Sequence, residues 1–169
     1  KDISTQSTNL TQLSNSLADT VASIGADGKI PGNMLDNGSF ERGPDSFTGW
    51  CSTATVVTLQ APHYGTKAAK ISAGGASVIS QNATVVKGRR YRFGVWAKQD
   101  GGTVIQDANN TKFMIADANG LLSGDKFGPF TSTFTEVFTE WTATKDTEAA
   151  FQLTAMLSAG NMYFDDVYV

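Results

Sequence analysis

The sequence predicts a mainly β protein, a two-sheet sandwich or jelly roll, preceded by an N-terminal α-helical coiled-coil stalk. Three observations lead there: an apolar heptad confined to the stretch from Lys1 to Ile24, a change to a period of two after Pro31, and Gly-, Asn- and Asp-rich turns between the later apolar runs.

In the first segment Ile3, Leu10, Leu17 and Ile24 fall seven apart, and Leu13 sits three after Leu10. With Ile3 at position a, Gln6, Leu13 and Thr20 occupy d and Val21 a flanking e position. The rest is mostly Ser, Thr, Asn and Gln, of which all but Gln are poor helix formers, and an isolated helix of this length is marginal in water. Such a helix forms only by burying its stripe on a partner. The segment carries three charged residues, Lys1, Asp2 and Asp19, too few for a charge code, which favours copies of itself. Val21 widens the stripe and fits three helices better than two, although the a and d residues alone do not decide between trimer and dimer. A disordered Ser/Thr-rich linker is the other reading. Gly25, Asp27-Gly28 and Pro31 supply helix-stop signals. Residues 1–28 are therefore expected to be a trimerisation stalk and turn, about 36 Å long if helical to Ile24, and residues 33–169 the β-domain.

Beyond Pro31, Tyr91, Phe93, Val95 and Ala97 alternate with Arg90, Arg92, Gly94, Trp96 and Lys98, giving one core face and one polar-aromatic face. Phe151, Leu153, Ala155 and Leu157 alternate with Gln152, Thr154 and Met156. Further strands are expected at Ala54–Gln60, Ala68–Ser72, Val78–Val85, Thr111–Ala116, Glu136–Ala143 and Met162–Val169. Turns fall at Asp100-Gly101-Gly102 and Ala118-Asn119-Gly120. About eight or nine short strands with no helical period between them make a sandwich or jelly roll. Trp50 and Trp141, within apolar runs or beside turn glycines, are expected in the core.

Two motifs place carboxylates among residues that should enter that core: Asn37-Gly38-Ser39-Phe40-Glu41 and Tyr163-Phe164-Asp165-Asp166-Val167. A carboxylate there is costly unless it meets a cation or donors. Two of them from opposite ends of a domain point to one shared partner, most simply a hard cation such as calcium. Bonds to backbone amides or to a lysine are the alternative. Alternation puts Asp165 on the side of Val167 and Val169, facing the core, and Asp166 on the side of Phe164 and Tyr168.

These motifs also carry a resemblance. Asn33 to Glu41 followed by Gly49-Trp50, then Gly65-Thr66-Lys67-Ala68-Ala69-Lys70-Ile71, Lys87-Gly88-Arg89-Arg90-Tyr91-Arg92-Phe93 and the Asp165-Asp166-Val167 ending resemble, in order, the calcium-containing jelly-roll carbohydrate-binding modules. The resemblance spans Asn33 to Val169 and implies a jelly roll and a sugar ligand. It further implies a structural calcium held by Glu41, Asp165 and the main-chain carbonyls of Ser39 and Lys67. Some members place an acidic residue just before the Gly65 turn, where this chain has His63 and Tyr64.

Composition narrows the function. The formal net charge of −3 gives no broad electrostatic case for nucleic acid or an anionic membrane. No apolar run approaches the ~20 residues of a membrane helix, and no signal peptide is apparent. Starting at Lys1 rather than Met, the chain reads as a piece of something longer. The single cysteine, Cys51, rules out an intramolecular disulfide framework and fits folding in a reducing cytosol. The lone histidine, His63, sits in a turn, and one His with one Cys cannot build a zinc site. Gly74-Gly75 and Gly101-Gly102 lack the spacing of a phosphate cradle. Glu136 and Glu140 share one strand face about 13 Å apart, outside the roughly 5–9.5 Å of a glycosidase pair. Asp165 and Asp166, adjacent on a strand, should point to opposite sides. The expectation is a non-enzymatic protein.

A sugar site is sought where an aromatic is exposed among planar hydrogen-bonding groups. Trp96 between Arg90, Arg92 and Lys98 has that composition, and Gln152 would extend the surface if its strand is a neighbour; a loop covering Trp96 is the alternative. A heptad stalk feeding a jelly roll resembles the distal part of a bacteriophage tail fibre or tail-tip protein. That resemblance implies a homotrimer in the virion, assembled in the host cytoplasm, that attaches to a bacterial surface glycan. A purely structural fibre spacer, and a carbohydrate-binding module of a secreted glycoside hydrolase, are the alternatives.

Overall fold

The computed structural model describes residues 32–42, 50–52, 54–105, 111–126 and 130–169. The expected stalk, with Ile3, Leu10, Leu13, Leu17, Val21 and Ile24, lies outside the described residues.

Strands follow one another along the chain as β1 (Cys51–Ser52), β2 (Thr55–Thr58), β3 (Lys67–Ser72), β4 (Gly75–Val85), β5 (Arg90–Gln99) and β6 (Val104–Ile105). Then come β7 (Lys112–Asp117), β8 (Gly120–Lys126), β9 (Thr135–Thr142), β10 (Thr147–Ala159) and β11 (Asn161–Tyr168). They form two antiparallel sheets, one ordered β2-β3-β11-β5-β9 and the other β1-β4-β10-β7-β8, with β6 also beside β10. This is the expected β-sandwich. The expected strands appear within a few residues of their predicted limits, while β1, β6 and β8 were not foreseen. Gly120-Leu121-Leu122-Ser123-Gly124 in β8 has two glycines and no alternation, so nothing in it reads as a strand on its own.

The core lies between the sheets. Phe93 from the five-stranded sheet meets Phe113 and Phe151 from the six-stranded sheet edge-on, with ring centroids 5.0 and 5.3 Å apart. On β10, Ala149, Phe151, Leu153, Ala155 and Leu157 are buried, and Ala150, Gln152, Thr154 and Met156 face outward. Trp50 is buried and Trp141 packs against the core, as expected.

The segment from Asn33 to Glu41 forms a clasp on the end of β11. Asn33 Oδ1 accepts from the amides of Leu35 (3.0 Å) and Val169 (2.8 Å), and its Nδ2 donates to the Val167 carbonyl (2.8 Å). Main-chain bonds run from Met34 N to Val169 O and from Val167 N to Gly38 O. Leu35 and Phe40 sink into the core, and Trp50 Nε1 donates to Asn37 O at 3.2 Å. Gly38 permits the close approach, since a Cβ there would stand 2.0 Å from the Val167 carbonyl oxygen. Gly38→Ala is therefore expected to destabilise the domain by about 1–3 kcal/mol, measured by urea unfolding. Gly101→Ala, with open space around its Cβ, is the control.

Candidate functional site

The two acidic motifs converge on one turn, residues 63–67, between β2 and β3. Asp165 is fully buried; its Oδ2 accepts from the amides of His63 and Tyr64, both at 3.0 Å, and its Oδ1 from the Asp166 amide at 2.8 Å. Glu41 Oε1 accepts from the amides of Thr66 (2.7 Å) and Lys67 (2.6 Å), and Oε2 from Thr66 Oγ1 (3.1 Å). Gly65, at φ 65°, leaves room for that carboxylate; a Cβ would lie 2.4 Å from Glu41 Oε1. Asp166 Oδ2 meets His63 Nδ1 at 2.5 Å.

Alternation fails at the aspartates. Asp165 pairs with Trp96, on the outer face of the five-stranded sheet beneath the turn, while Phe164 and Val167 are both in the core. The register shifts between Asp165 and Tyr168, and Asp166 takes φ 47°. This bulge adds a residue to the strand, so Val167 faces inward although Asp165 two places earlier does not. It also turns both carboxylates toward His63. The expectation that Asp165 faces the core with Val167 and Val169, and that Asp166 points to the opposite side, is corrected by that bulge.

Electrostatically the knot resists ionisation of both aspartates at once. Burial, then the neighbouring Asp166 charge, push the Asp165 carboxyl up to about 8, against the pull of its three amide donors. Burial also raises Asp166, opposed by its bond to His63 and helped by Glu41. Among the described residues no three His, Cys, Asp or Glu side chains are grouped to hold a metal. A cation here would accordingly draw on main-chain carbonyls. The all-oxygen donors and the buried Ser39 Oγ, which has no partner among the described residues, fit a hard cation.

The expected ligand residues Arg90, Arg92, Trp96 and Lys98 do share the outer face of the five-stranded sheet, but protein groups occupy them. His63 stacks flat on the half-buried Trp96 indole, 3.7 Å between centroids and 9° between planes. Glu140 pairs with both Arg90 and Arg92, and the Arg92 hydrogen bond leads in holding its carboxyl below the usual range. Arg92 also lies over the Phe138 ring at 4.0 Å. Lys98 Nζ sits 4.7 and 5.4 Å from the Phe134 and Tyr163 rings. Tyr168 donates to Glu136 at 2.6 Å, and burial together with that carboxylate raises its hydroxyl to about 12. A cavity of about 310 Å³ at the edge of this face is lined by Arg90, Arg92, Tyr168 and Asn33.

Gln152 does not extend that surface. Its strand β10 pairs with β4 and β7 in the other sheet, so Gln152 looks out of the opposite side of the sandwich. There it lines a cavity of about 360 Å³ with Asn82, Asp117, Thr147 and Glu148. Asn82 Nδ2 donates to Glu148 Oε1 at 3.1 Å. The Gln152 carboxamide makes no protein hydrogen bond among the described residues. Lys145 forms an ion pair with Asp117, and its hydrogen bond, followed by that from the Asn119 amide, lowers the Asp117 carboxyl. Sequence reasoning missed Asn82, Asp117, Thr147 and Glu148. The available signal was the polar outward set along β10, which gains meaning only once the neighbouring strands are known.

Amide and carboxylate side chains on an open sheet face can bind hydroxyl groups. The profile described as carbohydrate binding domain, CBM 4/9, matches residues 32–165. Curated protein sequences gave no match. Among solved structures, the carbohydrate-binding module TmCBM61, in complex with β-1,4-galactotriose, is 19% identical and covers 80% of this chain and 96% of its own, at a TM-score of 0.59. The enzymatically active domain of tailspike protein 4 from bacteriophage CBA120 is 18% identical over 80% of this chain but only 21% of its own, at 0.57. The Stig cyclase Fisc from Fischerella sp. TAU is 15% identical over 80% and 94%, at 0.60. Likenesses at this identity show a shared fold, one that carries unrelated chemistries. The family profile goes further: matched by it over well more than half its length, the chain belongs to the carbohydrate-binding domain family.

Proposed function

We propose that this chain is a non-enzymatic glycan-binding module and that the cavity around Gln152 is its sugar site. The observation that carries the reading is the unpartnered Gln152 carboxamide set among Asn82, Thr147 and Glu148 on an open sheet face. Sugar hydroxyls both donate and accept, and planar amides and carboxylates answer them in pairs. The Trp96 face is the poorer candidate, because His63 already takes one face of the indole.

The proposal places the module in a bacteriophage tail fibre or tail tip, trimerised by residues 1–28 and presenting three weak sites to a bacterial surface glycan. The heptad supports the trimer, and the occurrence of this fold within a phage tailspike is in keeping with the setting. Assembly in the host cytoplasm and residence in the virion follow from it. Structural calcium, held by Glu41 and Asp165 with the carbonyls of Ser39 and Lys67, belongs to the same proposal. When bound it would favour the ionised form of the Asp165 carboxyl beside Asp166. The alternatives are a structural spacer, favoured by the closure of the Trp96 face, and a module of a secreted glycoside hydrolase.

A glycan array probed with the full chain tests the reading. Binding is expected with a per-site affinity near the millimolar end, about −4 kcal/mol. Gln152→Ala should weaken it at least tenfold, while Trp96→Ala should leave it within threefold. The reverse pattern would move the site to the Trp96 face. Loss of signal for every glycan would leave the spacer as the better account.

A further inference from the structure

Resting on the carbohydrate-binding reading, we infer that the cavity beside Gln152 takes the neutral end of a glycan rather than the interior of a polysaccharide chain. Four features carry this. First, the lining along β10 runs from Thr147 to Gln152 and stops there. Beyond it the Thr154 hydroxyl is turned to the Lys112 carbonyl at 3.2 Å, and Met114 and Met156 are half-buried. The step from Glu148 to Gln152 is about 13 Å of strand, and a cavity near 360 Å³ is at the small end for ligand sites. Second, the opposite limit is walled. Asp117 and Ala118, at the β7–β8 turn, line it, and Lys145 from the β9–β10 turn is tied to Asp117.

Third, among the described residues no aromatic side chain lines the cavity. Gripping a long chain unit after unit calls for stacking surfaces in series, which this lining does not offer. It offers directional polar groups instead: the free Gln152 amide, Asn82 Oδ1 and Glu148 Oε2, the last two left over from the Asn82–Glu148 bond. Fourth, among the described residues the ionisable groups of the lining are Asp117, which Lys145 neutralises, and Glu148, which bonds to the neutral Asn82 and keeps its negative charge. A uronate or sialate would be repelled, whereas hydroxyls can donate to Glu148.

Titration calorimetry on the full chain tests this, with gluco-, galacto- and manno-oligosaccharides of one to six units, each also capped at its non-reducing end by a uronic acid. The expected result is an affinity that changes less than threefold between two and six units of the preferred sugar. The acidic cap should weaken it at least tenfold, and Gln152→Ala and Asn82→Ala, both folded by circular dichroism, should each reduce it. A tenfold or greater rise from two to six units would overturn end recognition while leaving carbohydrate binding intact. Preference for the capped series would overturn the charge argument. Binding indifferent to both alanine variants would put the ligand elsewhere and overturn the assignment. Silence across all three series would count against the carbohydrate reading itself and take the inference with it.

Discussion

Asp165→Ala is expected to lower the unfolding free energy by at least about 3 kcal/mol. The carboxylate accepts from the amides of His63, Tyr64 and Asp166 in a fully buried setting, and each orphaned amide costs about 1–3 kcal/mol. For a domain of this size that is a fall in Tm of roughly 6–12 °C. The wild type should also show a pH signature in chelator. The Asp165 carboxyl titrates near 3.8 when unfolded and at about 8 when folded. Between about pH 4 and 8 the native state holds a proton that the unfolded state has lost. Stability then falls as pH rises through that window and levels off above it. Asp166, raised by burial, adds to the same slope, while its bond to His63 opposes it. Asp165→Asn should flatten the profile.

On the proposed calcium site, the ion would act on the same group with the opposite result. At a hundredfold excess over its dissociation constant it should stabilise the wild type by about 2.7 kcal/mol and remove most of the pH slope. Asp165→Ala should not respond. If thermal melts of the wild type are identical in calcium and chelator, the proposed ion is wrong. The amide bonds made by Glu41 and Asp165, with the Val167-to-Gly38 main-chain bond, would then be what joins the two motifs.

How far the sequence reaches is visible in these same residues. Alternation on β10 was readable because Phe151, Leu153, Ala155 and Leu157 follow a period of two without interruption, and the same holds for Phe93, Val95 and Ala97 on β5. It misassigned Asp165 and Asp166 because a period of two presumes an unbroken strand. Nothing in Asp165-Asp166-Val167 declares that Asp166 adopts φ 47°. The cavity was illegible for another reason. Asn82, Asp117 and Gln152 lie on β4, β7 and β10, joined by pairing between strands distant in sequence, and local pattern does not fix that order. Gln152 was singled out from sequence, yet on the assumption that β10 lies beside β5, whereas β5 has β11 and β9 as its neighbours. The convergence of Glu41 and Asp165 on one turn was legible, because carboxylates set among core-bound residues near the two limits of a domain need a shared solution, although Glu41 is only half-buried.

On the proposed trimeric organisation, replacing Leu10 and Leu17 together by Asp should reduce apparent adhesion to host cells by 10²–10⁴ without altering the affinity of a single site. Both leucines occupy a positions of the heptad, and three carboxylates at one level of a helical seam cannot be buried together. The β-domain has its own core between two sheets, so it should stay folded while the chain becomes monomeric. Sedimentation equilibrium should show a trimer for the wild type and a monomer for the double variant. Calorimetry with a monovalent sugar should give the same dissociation constant for both. A millimolar site is useless for adhesion alone, and three of them held on one stalk convert rebinding into an intramolecular event at high effective concentration. A wild type that sediments as a monomer at micromolar concentration would remove that amplification. With it would go the case for an attachment fibre, leaving a single weak module of the kind that serves an enzyme or a spacer.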